Sequence, residues 1–164
     1  AESEGALGFD RAEREEDRKR LWQARHDVYW AVKSTWPGKN LFATDVCVPI
    51  SRLAECVLET QADIAATGII APIVGHVDGN FHTSPVVDMS SPAEVERMQG
   101  FVARLAERAI RMEGTCTGEH GVGQGKMKYL PAELGNGLDV MRKIKQALDP
   151  LGIMNPGKII MAGT

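Results

Sequence analysis

Three of the four histidines lie in two short segments whose side chains suit metal binding or proton transfer. His76 and His82 flank the turn of GHVDGNFH, and His120 follows Glu119 in the glycine-rich segment GTCTGEHGVGQGK. Imidazole and carboxylate groups are a common ligand set for divalent transition metals. Histidine also suits proton transfer, because its ordinary pKa of about 6.5 lies near neutral pH. These residue types indicate a metal site, a general base, or both.

Whether His76 and His82 share a metal depends on the turn between them. In one straight strand the two imidazoles would lie roughly 20 Å apart, at about 3.3 Å per residue. A two-residue turn at Asp78-Gly79 would pair His76 with Phe81 and turn His82 to the other face. A three-residue loop over 78–80 would make the histidines cross-strand neighbours, with Cβ atoms about 5 Å apart. Only this loop or a looser bulge permits a shared metal; otherwise both are ordinary strand residues.

The elements that must position these residues alternate between helices and strands. Apolar spacing and turn signals predict helices over 10–33, 51–67, 92–114 and 137–148, and strands over 41–48, 69–77 and 81–88. The start of the third helix is the clearest, with a capping Ser91, Pro92 at the first position and Glu94 at the third. We expect the first helix to pack its apolar face on a core. This order favours an α+β fold with an antiparallel sheet.

Composition sets limits on function. The 164 residues fit one domain, with a charged leader over 1–20 and a tail over 150–164. A net charge of −3 lacks the basic excess of nucleic-acid binders. No run approaches the roughly 20 apolar residues of a transmembrane helix. Three cysteines without a CxxC motif favour a reducing compartment. We therefore expect neither a nucleic-acid partner nor a transmembrane segment.

Five segments carry a resemblance to a known family. In order along the chain they are RLWQARHDVYWAV, TDVCVPISRL, GHVDGNFH, GTCTGEHGVGQGK and LDPLGIMNPGK. They resemble the carboxy-terminal half of FAD-linked oxidases, the relatives of cytochrome-type D-lactate dehydrogenase, D-2-hydroxyglutarate dehydrogenase and the flavin subunit of glycolate oxidase. The resemblance covers about residues 20–160. It implies a ferredoxin-like cap, an antiparallel sheet with helices on one side, over an FAD held by an amino-terminal domain.

The resemblance also implies roles for the residues named above. His76, His82 and Glu119 would bind a divalent metal such as Zn, Mn or Fe. His120 would remove the hydroxyl proton of a 2-hydroxy acid while hydride leaves for the flavin. One departure concerns the metal, because the family usually reads GHVGDGNxH and this chain is one glycine shorter at that loop.

Further residues are assigned by the same resemblance. Arg25 and Asn80 would contact the substrate, and Asn80, Asn155 and Lys158 would bind the cofactor or face the domain that holds it. Ala43 stands where hydroxyglutarate enzymes carry a substrate-binding lysine, which argues against a second carboxylate on the substrate. The simpler interpretation of Arg25 is that it is a solvated helix residue. The simpler interpretation of Asn155 is that it only terminates a helix.

Together these observations predict the carboxy-terminal part of an FAD-dependent 2-hydroxy-acid dehydrogenase of the D-lactate type, inactive alone because the FAD-binding domain is missing. Its partners would be a small 2-hydroxy acid and an FAD-binding domain in cis or trans, and the uncovered face would promote homo-oligomers. The alternative is a stand-alone metal- or carboxylate-binding module without redox activity. Bacterial cytoplasm and the mitochondrion both fit.

Overall fold

The computed structural model describes residues 11–76 and 78–160. The chain divides into two compact units, Ala1–Lys39 and Asn40–Thr164. The described part of the first unit contains helix α1, Glu15–Thr35, which therefore begins within the predicted leader. Acidic residues occupy its first turn and Lys33 its last, as the helix dipole favours.

Helix α1 has no buried residue, and Trp22 and Trp30 are 63% and 65% exposed. The prediction that one of its faces packs on a core is therefore wrong. Helical spacing identifies which face is apolar, but it carries no information about what covers that face.

The second unit contains short strands and most of the helices. The strands are β1 Asn40–Leu41, β2 Val46–Cys47, β3 Ile73–Gly75, β4 Asn80–Thr83 and β5 Val86–Val87. The helices are α2 Ile50–Thr67, α3 Pro92–Arg111, α4 Leu130–Leu134 and α5 Gly137–Leu148, with a 3-10 turn at Met127–Tyr129. Strand β4 lies between β2 and β3, and β1 pairs with β5, all antiparallel. This confirms the α+β class, and α5 matches its predicted range.

Two of the predicted strands are interrupted at the level of Pro85. Proline has no amide hydrogen to donate, so the predicted strand over 81–88 divides into β4 and β5. The partner segment over 41–48 divides at the same level into β1 and β2. The residues between them bond outside regular ladders, as when the Thr44 amide donates to the Thr83 carbonyl over 2.8 Å.

The core lies where α2 and α3 cover one face of the β2–β4–β3 sheet. Val46 and Phe81 are cross-strand partners, and both belong to a core cluster with Phe101 and Leu105 of α3. Because successive strand residues point to opposite faces, His82 is turned away from this core. The register of the sheet therefore places His82 on the face opposite α2 and α3.

Helix α3 begins as predicted, since the Ser91 hydroxyl accepts a hydrogen bond from the Glu94 amide and Pro92 is the first helical residue. It ends at Arg111, three residues short of the predicted Gly114. Among the described residues, none of the helices combines the length and the apolar character needed to cross a bilayer.

Candidate metal and proton-transfer site

The β3–β4 hairpin brings His76 and His82 together in a register that neither predicted turn describes. The His76 amide donates to the Asn80 carbonyl over 2.8 Å, and Val74 is the partner of His82. The two histidines are therefore diagonal neighbours on one face. Diagonal neighbours are within reach of long side chains. Their Nε2 atoms lie 3.1 Å apart, so the shorter loop is compatible with a shared ligand.

Glu119 offers a third candidate ligand atom from the segment that follows α3. Its Oε1 lies 3.0 Å from His82 Nε2, and one ligand atom from each of Glu119, His76 and His82 falls within 4.8 Å of the others. Ligands about 2.1 Å from a tetrahedral ion lie about 3.4 Å from each other, close to the two shortest separations. The Glu119 side chain is 55% exposed, which leaves the cluster open to solvent on that side.

The hydrogen bonds of His82 fix which nitrogen carries its proton. Nδ1 lies 3.0 Å from the Thr44 carbonyl oxygen, which can only accept, so Nδ1 donates. In the neutral ring the lone pair of Nε2 then faces the Glu119 carboxylate. Such acceptors repel unless a positive charge lies between them, either a second proton or a metal cation. Metal-binding histidines usually donate their other N–H to a carbonyl in this way, so these residues fit a divalent cation.

His120 lies beside the ligands. Its ring stacks on that of His82, with centroids 4.9 Å apart and planes 15° from parallel. Its Nε2 is 3.8 Å from Glu119 Oε1, and the side chain is 43% exposed. His120 also borders a cavity of about 660 Å³ with Met98 and Val102 among its apolar walls. This position suits a base that serves a small molecule in the cavity.

Asp45 is a site residue that the sequence analysis missed. It is 1% exposed, and its Oδ2 accepts the amides of Glu119 and His120 over 2.9 and 2.8 Å and the Thr117 hydroxyl over 2.9 Å. Lys126 Nζ lies 3.4 Å from the same oxygen. Burial alone would raise the pKa of Asp45, but these donors and the ammonium outweigh it and lower the pKa below its usual value.

The available signal for Asp45 was its position in TDVCV. Alternation places Asp45 and Cys47 on the face opposite the buried Val46 and Val48. A charged residue on that face is normally expected to be solvent-exposed. The donors that make its burial tolerable come from a segment more than seventy residues later, which no local pattern indicates.

Four further residues were predicted to contact the substrate or the cofactor. Asn80 lies next to the ligands in sequence but is 6% exposed, and its Oδ1 has no hydrogen-bond partner among the described residues. Asn155 and Lys158 are exposed on the tail, whose Ile159 amide donates to the Gly123 carbonyl. Arg25 is exposed on α1, in the first unit. Substrate and cofactor roles for these residues remain predictions.

Several known proteins are similar in sequence to this chain over nearly its whole length. A probable mitochondrial D-lactate dehydrogenase of Danio rerio is 50% identical over 158 residues, or 95% of this chain and 32% of that protein. The mitochondrial cytochrome-type D-lactate dehydrogenase of Arabidopsis thaliana is 46% identical, over 91% of this chain and 27% of its own length. Glycolate oxidase subunit GlcD of Bacillus subtilis is 36% identical, over 94% and 33%. The chain thus spans about a third of these relatives.

A solved structure and a family model also match most of this chain. A 4-ethylphenol oxidase of Gulosibacter chungangensis, solved with isoeugenol, superposes with a TM-score of 0.57 at 23% identity, over 91% of this chain and 31% of that one. That likeness shows the fold. The family described as FAD linked oxidases, C-terminal domain, matches residues 1–159. The chain belongs to this family of FAD-linked oxidase C-terminal domains.

Proposed function

We propose that this chain is the substrate-covering part of an FAD-dependent 2-hydroxy-acid dehydrogenase of the D-lactate type, with a divalent metal on His76, His82 and Glu119. The observation that carries the proposal is the convergence of these three ligand atoms within 4.8 Å, beside the ring of His120. The names of the relatives support the substrate class. The relatives include mitochondrial enzymes and a bacterial one, so both locations remain within the proposal.

The side chains have separate roles in the proposed reaction. When bound, the metal supplies a positive charge that lowers the pKa of a coordinated hydroxyl, and FAD supplies the hydride acceptor. His120 takes the hydroxyl proton at Nε2, the atom that lies 3.8 Å from Glu119 Oε1. The Thr44 carbonyl holds the proton of His82 on Nδ1, which keeps Nε2 free as a ligand.

The cavity beside His120 supports a substrate with one carboxylate. Ala43, Met98 and Val102 contribute apolar walls, and burying a second carboxylate against them would be unfavourable. Its two lysines have other contacts: Lys126 Nζ donates to the Asp45 carbonyl oxygen, and Lys128 lies over an aromatic ring. A monocarboxylic 2-hydroxy acid fits this surface better than a dicarboxylic one.

Exposed apolar side chains support an association with an FAD-binding domain, in cis or in trans. Leu148 at the end of α5 and Leu151 and Ile153 beyond it are 75%, 80% and 74% exposed. Adjacent exposed apolar residues often mark interaction surfaces. A homo-oligomer through the same surface remains the second option.

A chimera tests the proposed activity. This chain replaces the matching region of the Danio rerio relative, and D-lactate-dependent reduction of a dye is measured after loading with FAD and Zn²⁺ or Mn²⁺. We expect turnover, and a loss of about 10²–10⁴-fold in kcat for His120→Ala with unchanged metal content, because the base is lost while the ligands remain. The intact relative is the positive control. A chimera that binds FAD and metal but turns over no D-lactate would contradict the proposed activity.

The second candidate is a metal- or carboxylate-binding module without redox activity. One observation favours it, namely that all three ligand atoms come from this chain. It predicts metal binding together with an inactive chimera and no measurable affinity for FAD.

A further inference from the structure

We propose that Asp45 is a positioning residue that holds Glu119 and His82 in the arrangement that binds a metal ion. The inference rests on the metal site proposed above and adds a residue that contributes no ligand atom. Asp45 is 1% exposed and aligns across the sheet with His82 on the same face, since the neighbouring Thr44 amide bonds the Thr83 carbonyl.

The first contact of Asp45 is with the segment that carries Glu119. Its Oδ2 accepts two consecutive amides, those of Glu119 and His120, over 2.9 and 2.8 Å. Two adjacent amides on one oxygen fix the orientation of the peptide between them, and with it the directions of both side chains. Residues 117–120 belong to no helix or strand, so this carboxylate supplies partners that regular structure does not.

The second contact is with His82. Asp45 Oδ1 lies 3.9 Å from His82 Nδ1, on the side of the ring opposite the metal position, and it has no hydrogen-bond partner among the described residues. Its charge therefore acts on the N–H that also donates to the Thr44 carbonyl. A carboxylate behind a ligating imidazole favours the lone pair on the far nitrogen and strengthens binding of a cation there.

Gly118 makes the close approach of this segment to Asp45 possible. A Cβ at Gly118 would lie 2.5 Å from Asn80 Oδ1 and 2.9 Å from Asp45 Oδ1. An alanine there would force the segment away from both Asn80 and Asp45. Gly125, in the same glycine-rich segment, has no atom within 4 Å of a Cβ. It therefore offers a matched control.

A second buried aspartate offers a control for the carboxylate itself. Asp149 accepts the amides of Ile153 and Met154, each over 3.0 Å, and pairs with the ammonium of Lys145. It has the same kinds of partner as Asp45, two consecutive amides and a lysine, but none of them is a metal ligand. A purely structural role for Asp45 would make its replacement resemble that of Asp149.

The test is a titration of the purified chain with Co²⁺ alone, followed by the visible absorption of the bound ion, with thermal unfolding measured in parallel. We expect Asp45→Asn to weaken Co²⁺ binding about 10–100-fold and to change the absorption bands, since replacing such outer groups has effects of this size. Asp149→Asn should lower the unfolding temperature while leaving affinity and bands unchanged. Gly118→Ala should weaken binding about tenfold or more, and Gly125→Ala should not.

The outcomes separate the two proposals. Wild-type affinity and bands in both Asp45→Asn and Gly118→Ala would overturn the role of Asp45 and leave the metal site standing. If Asp45→Asn does not fold, Gly118→Ala against Gly125→Ala decides by the same criteria. Absence of Co²⁺ binding in the wild-type chain, or unchanged binding in His76→Ala, would instead overturn the metal site.

Discussion

Two clusters of charged and polar side chains in the second unit differ in how their groups are paired. The helix-pair cluster joins α2 to α3: Arg108 Nη2 lies 2.9 Å from Asp63 Oδ2, and Arg104 Nη2 lies 2.7 Å from Asp63 Oδ1. The ligand cluster consists of His76, His82 and Glu119, whose lone-pair atoms converge. In the first cluster each cation faces an anion. In the second, candidate ligand atoms from two imidazoles and one carboxylate face one another.

The difference distinguishes a cluster that holds two helices together from one that can bind an ion. In a cluster of paired cations and anions no further ligand is required, and removal of one partner leaves a buried charge uncompensated. A cluster of converging ligand atoms gains stability when a proton or cation enters it. The helix-pair cluster should therefore govern unfolding of the metal-free chain and leave metal affinity unchanged, and the ligand cluster should govern metal affinity.

The largest expected effect is on stability, from Arg108→Ala. The Arg108 side chain is 8% exposed, and removing one partner of a buried ion pair should lower the free energy of unfolding by about 3 kcal/mol. Arg111→Ala is the control, since that side chain is 62% exposed and its pair with Glu59 should contribute less than about 1 kcal/mol. Urea unfolding measures both. A change in Co²⁺ affinity in Arg108→Ala would break the proposed separation of the clusters.

A bound metal ion should raise the free energy of unfolding by slightly less than Arg108→Ala lowers it. At a free Zn²⁺ concentration of about 100 times Kd, the free energy of unfolding should rise by about 2.7 kcal/mol, because the ion binds the folded state alone. His76→Ala should abolish the rise, and a chelator should reverse it in the wild type. Equal stabilisation of the variant by Zn²⁺ would place the ion elsewhere.

Acid should weaken the helix-pair cluster by the smallest of these effects. Burial raises the pKa of Asp63, but hydrogen bonds and charge from Arg104 and Arg108 outweigh it and hold the pKa below the usual 3.8. Because the folded-state pKa is the lower one, this stabilisation is present above pH 3.8 and is lost as pH falls through the folded value. Urea unfolding between pH 5 and pH 3 should show a shallower decline in Asp63→Asn. An identical decline would assign the pH dependence to other groups.

Local signals in the sequence were enough to predict four of the five α-helices of the described residues, and α4, Leu130–Leu134, was missed. The Ser91-Pro92 start of α3 and the range of α5 follow from capping and spacing within one segment. The candidate ligands were assigned through the short motifs that carry the family resemblance, because the residue types alone left ordinary strand residues as an alternative. Such information is contained in neighbouring residues.

The predictions that were wrong, and the residue that was missed, depended on contacts between residues distant in sequence. The hairpin register differs from both predicted turns, since the pairing of Val74 with His82 is set by the whole sheet. The exposure of α1 could not be predicted because spacing does not specify a partner surface. Asp45 was missed for the same reason: its donors at Glu119 and His120 reach it only after folding.

The most direct test of the central claim is the metal content of the purified chain, measured by native mass spectrometry after incubation with Zn²⁺ and removal of free ion. The convergence of His76, His82 and Glu119 predicts about one ion per wild-type chain and none in the His76→Ala, His82→Ala double variant. A metal-free wild-type chain, or the same ion count in the double variant, would contradict it.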